Sequence, residues 1–328
     1  MSVLPKRFLK AVAVLIVLVC LGGGALAYLR RTPPPLEAQD RWPPGDYERS
    51  FVYDGRTRTF LLHIPPGYDG STPFPLVIGL HGGTGSARQF ERSTHMNRAA
   101  DTLGFLAVYP DGTGPLKTWN AGYCCGFAMQ NKVDDVGFIR ALIAALSSTL
   151  NIDLHRVYAT GMSNGAMLAY RLASEASDLF AAVGPVAGSI GGQVNADAPL
   201  FMIAPPAEPV SVIAIHGQQD ESVLYEGGES RGVFGKGRID LSVAESIAFW
   251  VRHNQCSTMP TVESLYDGNI IRETYPCPQG VEVVLYTIVE GDHSWPGEAP
   301  SRLRGTNPNQ DIIATDLILE FFASHAKP

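Results

Sequence analysis

The residues most able to do chemistry lie in Gly161-Met162-Ser163-Asn164-Gly165, a Gly-x-Ser-x-Gly run between an apolar strand, Val157 to Thr160, and an amphipathic helix, Asn164 to Ala176. A strand that turns this sharply into a helix leaves no room for side chains at Gly161 and Gly165, and it holds the Ser163 hydroxyl above the sheet. The helix N-terminus behind the serine favours negative charge that develops during attack on a carbonyl. Five residues alone match many small-residue turns. The strand–turn–helix setting makes Ser163 a candidate nucleophile.

A serine hydroxyl needs a base, and the base needs an orienting carboxylate, in the chain order serine, acid, histidine for this kind of elbow. His253, His293 and His325 follow Ser163 at workable distances. His253 ends a predicted helix, where the dipole explains it, and His325 is expected to be solvated near the chain end. His293 lies in Gly291-Asp292-His293-Ser294-Trp295-Pro296-Gly297, directly after the strand Val281 to Val289, and loops past the C-terminal edge of a parallel sheet carry the site in such architectures. His293 is therefore the expected base, with Trp295 packing to hold it. Val210 to Ile215 leads into His216-Gly217-Gln218-Gln219-Asp220-Glu221, where Asp220 is the expected acid and Glu221 the runner-up. Asp292 adjoins the base in sequence, whereas its partner normally arrives from a different loop.

An oxyanion needs backbone N–H donors, each worth about 3 kcal/mol. Asn164, next to the nucleophile, offers one. The loop His81-Gly82-Gly83-Thr84-Gly85-Ser86 offers another, from Gly83 or Thr84, with glycines that permit close approach. It lacks the lysine of a phosphate-binding loop. Trp119 is expected either to wall a substrate cleft or to be half-buried in the core. Asp134 and Asp135 read as helix-capping or buried hydrogen-bonding groups. No histidine and carboxylate grouping has metal-ligand spacing, and the reading requires no metal and no cofactor.

The elements that must position these residues alternate. Ser50 to Tyr53 and Thr59 to Ile64 predict a hairpin around Asp54-Gly55. Leu76 to Leu80, Phe105 to Tyr109, Val157 to Thr160, Ala181 to Val186, Val210 to Ile215 and Val281 to Val289 read as strands buried on both faces, as in a parallel sheet. Val136 to Leu150, Asn164 to Ala176, Ile239 to Asn254 and Asp311 to His325 read as helices. The alternation predicts an α/β fold with a doubly wound, mostly parallel sheet and an N-terminal antiparallel hairpin; with the serine elbow this is the α/β-hydrolase fold.

The chain has 328 residues, 45% apolar and 17% charged, which suits one large catalytic domain. A net charge of −7 argues against nucleic-acid binding. Lys6, Arg7 and Lys10 precede an apolar run from Ala11 to Leu21, three glycines and Ala25-Leu26-Ala27, so residues 1–27 read as a signal peptide or an uncleaved membrane anchor. Residues 28–48, rich in proline, read as a linker, and residues 49–328 as the catalytic domain. The expected location is secreted or periplasmic, tethered to the inner membrane only if the leader stays on. Cys20 reads as an apolar position within that leader. Cys256 and Cys277 bracket two β-leaning runs around Asp267-Gly268, so a hairpin should bring them together as a disulfide. Cys124-Cys125 could be a vicinal disulfide, two free thiols, or one of each.

Trp119 to Gly126, Val133-Asp134-Asp135-Val136-Gly137-Phe138, the Ser163 elbow and His293-Ser294-Trp295-Pro296-Gly297 together resemble the bacterial poly(3-hydroxybutyrate) depolymerase and feruloyl esterase family, close to carbohydrate esterase family 1. The likeness covers essentially all of residues 49–328. It implies hydrolysis of carboxylic esters by a triad that falls here on Ser163, Asp220 and His293. The implied substrates are feruloyl or acetyl esters of polysaccharide, or short hydroxyalkanoate oligomers; an acyltransferase on the same triad is the alternative. Polymer depolymerases of this kind append a polymer-binding domain, and this sequence ends at Pro328 after its last core helix, so the expectation is soluble esters before crystalline polyester.

Overall fold

The computed structural model describes Leu36 and residues 42–232, 235–300 and 306–327; the expected leader, residues 1–27 with Cys20, lies outside them. The strands are β1 (Gly45–Tyr53), β2 (Arg56–Ile64), β3 (Phe74–Leu80), β4 (Leu106–Pro110), β5 (Ile152–Met162), β6 (Ala182–Val186), β7 (Gly191–Gln193), β8 (Phe201–Met202), β9 (Ser211–Gly217), β10 (Gly228–Glu229), β11 (Ile239–Asp240), β12 (Thr261–Leu265), β13 (Ile270–Pro276) and β14 (Glu282–Ile288). The α-helices are α1 (Ala87–Thr94), α2 (Met96–Leu103), α3 (Gly126–Gln130), α4 (Asp135–Ser147), α5 (Asn164–Glu175), α6 (Val243–His253) and α7 (Ala314–Ser324).

One sheet has ten strands in the order β1-β2-β4-β3-β5-β6-β9-β14-β13-β12. From β4 to β14 its neighbours run parallel, while β1-β2 and β12-β13 are antiparallel additions at the two edges. The parallel strands are buried on both faces because helices cover both: β4, β6 and β9 are buried at every residue. One core holds Leu142 of α4, Leu168 of α5 and Ile247 of α6 against Ile78 and Val212. The other holds Phe90 of α1, Met96 of α2 and Ile318 of α7 against Val77 and Ile213. The first hairpin turns at Asp54 and Gly55, both at positive φ (48° and 67°), which fits the twist of two directly paired strands.

Three expectations change. The domain begins before Arg49: β1 starts at Gly45, and Trp42 is buried edge-on against Tyr47, so the end of the expected proline linker belongs to the fold. The helix expected from Ile239 starts only at Val243, where Ser242 and Glu245 form a capping box; Ile239–Asp240 instead pairs with β7 in a small sheet ordered β10-β11-β7-β8. His325 is buried rather than solvated, and its Nδ1 lies 2.7 Å from the Phe321 carbonyl at the end of α7. The β12-β13 hairpin forms as expected and brings Cys256 and Cys277 into a disulfide. Cys124 and Cys125 are joined to each other as a vicinal pair across a cis peptide bond.

Candidate active site

Ser163 sits between β5 and α5 at φ 55° and ψ −120°, a left-handed conformation that side chains adopt only when the surroundings enforce it. Those surroundings are close backbone. A Cβ on Gly161 would lie 2.7 Å from Leu80 O, and one on Gly165 would run into the carbonyls of Leu80 and His81. The serine's own N–H donates to Val186 O at 2.9 Å, fixing the elbow to β6.

His293 Nδ1 lies 2.7 Å from Asp220 Oδ2. Since Asp220 accepts there, Nδ1 carries the proton and Nε2 keeps a lone pair. Asp220 is buried, and its Oδ1 accepts N–H bonds from Ser222 and Val223 at 2.7 and 2.8 Å. Burial pushes this carboxyl up, but its attraction to protonated His293 and the contacts from His216 and His293 outweigh it and hold the acid well below the usual carboxylate range. Ser163, Asn164, His293 and the Gly82–Thr84 loop line one cleft of about 1290 Å³. Glu221 lines the same cleft, but the carboxylate bonded to His293 is Asp220's. Asp292 staples its own loop instead, accepting from the Ser294 hydroxyl and the Asn307 N–H. Trp295 is buried edge-on against Phe90, with its indole N–H on Thr315.

The glycine loop rests on the elbow: a Cβ on Gly82 would lie 3.6 Å from Ser163 Cβ, and one on Gly83 would lie 3.7 Å from Asn164 Cβ. The Thr84 N–H is already given to Lys117 O at 3.1 Å, so of the two expected donors Gly83 is the one the geometry favours. Asn164 opens α5, where the first-turn N–H groups have no carbonyl within the helix to meet. Beneath the loop, His81 is fully buried; its Nδ1 lies 2.7 Å from Gly82 O and its Nε2 accepts from the Gly112 N–H at 2.9 Å. Burial lowers its pKa to about 4 and keeps the ring neutral.

Trp119 does not wall the cleft. Its side chain is fully buried, its indole N–H donates to His81 O at 2.9 Å, and its ring lies 5.0 Å from that of His81. The apolar wall is made by Leu116 and Phe127, which are 63% and 38% exposed, together with Cys125. The Trp119–Gly126 segment is held from behind by buried polar groups. Asp135 accepts from the Asn120 N–H and from Arg58, whose guanidinium also lies 3.6 Å over the Phe138 ring. Asp134 caps α4 through the Gly137 N–H, as expected. Two residues with polar contacts at the site carried no role in the sequence reading. His216, at the end of β9, approaches Asp220; Arg238 lines the cleft and pairs with Asp240 at 2.8 Å. His216 had a readable signal, a histidine four residues before the acid at a strand end. Arg238 had none, because an arginine two residues before an aspartate is an ordinary pattern, and its contacts with Ser222 O and Cys124 come from separate loops.

A serine on a strained strand–helix elbow, a histidine held by a buried aspartate and a glycine loop against the elbow define an enzyme of the α/β-hydrolase fold. Residues 58–235 match the family described as Esterase PHB depolymerase, and the chain belongs to that family. The enzyme class that goes with it is carboxylic ester hydrolase. The chain is 32% identical over 82% of its length to NocK of Nocardia uniformis subsp. tsuyamanensis, named as a candidate esterase, and covers 78% of that protein. It is 31% identical over 72% of its length to feruloyl esterase B of Piromyces equi, of whose own length it spans only 42%. The fold is that of the acetyl xylan esterase from Aspergillus awamori, with a TM-score of 0.57 at 15% identity over 85% of this chain and 99% of that one.

Proposed function

We propose that the protein is an exported serine esterase that works through an acyl-enzyme on feruloyl or acetyl esters of polysaccharide or on short hydroxyalkanoate oligomers. The observation that carries this reading is the 2.7 Å bond from His293 to Asp220 at the edge of a cleft shared with Ser163. His293 Nε2 takes the Ser163 proton as Oγ attacks the ester carbonyl, and Asp220 stabilises the imidazolium that forms. The N–H groups of Asn164 and Gly83 receive the oxyanion. Collapse expels the alcohol, protonated by His293, and water then repeats the sequence to release the acid. Leu116 and Phe127 offer an apolar surface for an acyl group or aromatic ring. Names of relatives, feruloyl esterase and acetyl xylan esterase, support this substrate range, and the order of charged, apolar and small residues in 1–27 supports export.

The test is hydrolysis of feruloyl, acetyl and hydroxybutyrate esters by the wild type and by Ser163→Ala and Asp220→Asn. Ser163→Ala should lose more than about a hundredfold in kcat with its fold intact. Retained activity in that variant overturns the assignment, and predominant transfer to an added alcohol in place of water would make the protein an acyltransferase.

A further inference from the structure

The Asp220 carboxylate is engaged from two sides, and the second side belongs to a residue outside the proposed triad. His216 Nε2 lies 2.8 Å from Val223 O and 3.4 Å from the same Asp220 Oδ2 that receives His293. A carbonyl can only accept, so Nε2 carries the proton and gives it to Val223 O, with Asp220 Oδ2 the next acceptor at 3.4 Å. The ring cannot drift from that position. His216 belongs to β9, is paired in register with Thr287 of β14, is buried, and stands edge-on to Tyr225 at 5.9 Å with an interplanar angle of 86°. Tyr225 is in turn held by Thr287, its hydroxyl 2.7 Å from Oγ1. Asp220 itself lies in a loop, so the sheet reaches the acid through His216.

We infer that His216 is a positioning residue: its Nε2–H, held by the Val223 carbonyl, ties the loop carrying Asp220 to the C-terminal end of β9 and stands 3.4 Å from the Oδ2 that receives His293, fixing the direction in which the acid faces the base. The inference rests on the proposed triad. Four contacts then surround the carboxylate, two main-chain N–H groups on Oδ1 and the two imidazoles at Oδ2. Without His216, Oδ2 keeps only His293, the Val223 carbonyl loses its donor, and the acid still faces His293 but with wider scatter about the direction the base needs. A carboxylate relieved of one donor also holds more charge for the imidazolium, so the base becomes harder to deprotonate. The charged and titratable groups around Asp220 and the two imidazoles are Tyr225, edge-on to His216, and the Arg238 guanidinium with its partner Asp240.

The experiment compares three variants by kcat, KM and the pH profile of kcat/KM on a soluble aryl ester. His216→Phe keeps a ring against Tyr225 without the N–H. His216→Asn places an amide nitrogen near the position of Nδ1, and His216→Gln can bring one to that of Nε2. Phe and Asn should lower kcat about tenfold with KM unchanged and move the acid limb of the profile to higher pH, and Gln should restore both toward wild type. His216→Phe or His216→Asn variants that fold and keep the wild-type kcat and acid limb overturn the proposal. Equal losses in Gln and Asn, with an unmoved acid limb, reduce His216 to packing and overturn it as well. If Phe fails to fold, the Gln and Asn pair still decides. Ser163→Ala, assayed alongside, separates this outcome from failure of the functional reading, because activity surviving there would remove the triad itself.

Discussion

The side-chain amide of Asn164 grips the main chain of Trp119 at both ends: Oδ1 accepts the Trp119 N–H at 2.7 Å and Nδ2 donates to the Trp119 carbonyl at 3.0 Å. The residue beside the candidate nucleophile, whose own N–H is the proposed oxyanion donor, thus uses its side chain to dock the segment leading to the apolar wall. Asn164→Ala retains the first function and loses the second, leaving the buried Trp119 N–H without its partner, while the Trp119 carbonyl keeps the Cys125 N–H at 3.1 Å. We expect a loss of about 1–3 kcal/mol in urea unfolding. A cost below about half a kilocalorie would show that the docking contributes little.

The left-handed conformation of Ser163 costs about 1 kcal/mol or more in any residue with a Cβ. Ser163→Gly should raise stability by about that amount while abolishing ester hydrolysis, whereas Ser163→Ala, which keeps the Cβ, should leave stability near wild type. Thermal unfolding of the two variants side by side tests this. A glycine variant less stable than the alanine one would contradict it.

His81 makes stability depend on pH. Folded, it binds a proton only near pH 4; its ordinary value is 6.5. Above about 6.5 neither state is charged and the stability is full. As pH falls toward 4 the unfolded chain takes up a proton that the fold refuses, and up to about 3 kcal/mol is lost. Asp220 acts in a separate window, because a depressed carboxyl keeps its contribution above its ordinary value of 3.8 and loses it only below. Denaturant titrations at a series of pH values should therefore show a decline already between about 6.5 and 4. His81→Gln should flatten that decline, and a wild-type profile level across the window would refute the burial argument.

The Cys256–Cys277 bond closes a loop of 21 residues around an edge hairpin whose outer strand is exposed throughout. Removing it by Cys256→Ala with Cys277→Ala should cost about 3 kcal/mol on the chain-entropy estimate. Peptide mapping without reduction should recover the two segments joined. Recovery of Cys256 joined to Cys124 or Cys125 would be incompatible with the β12-β13 register.

Much of the catalytic frame was legible because local rules govern it. The apolar runs from Leu76 to Leu80 and Val210 to Ile215 read as strands since only a sheet covered on both faces buries such runs, and His293 was found because it directly follows one. The small sheet was hidden, because two-residue strands such as Ile239–Asp240 carry no periodicity. For Trp119 the sequence left cleft wall and core open, because its neighbours cannot say which carbonyl its indole will meet; that carbonyl is His81's, from a different strand end, and the ring is fully buried.

The sequence by itself determined the elbow and the pairing of Cys256 with Cys277, because each depends on steric or turn preferences within a short stretch of chain, and it singled out Asp220 and His293 as candidates because each follows a readable strand. The tertiary structure alone decided that Thr84 gives its N–H to Lys117, that Cys124 meets Cys125, and that His216 reaches the acid. These are hydrogen bonds and contacts whose partners are chosen when sheet and loops close together. A buried donor must take whichever acceptor the packing brings to it, and no local pattern of residues records that choice.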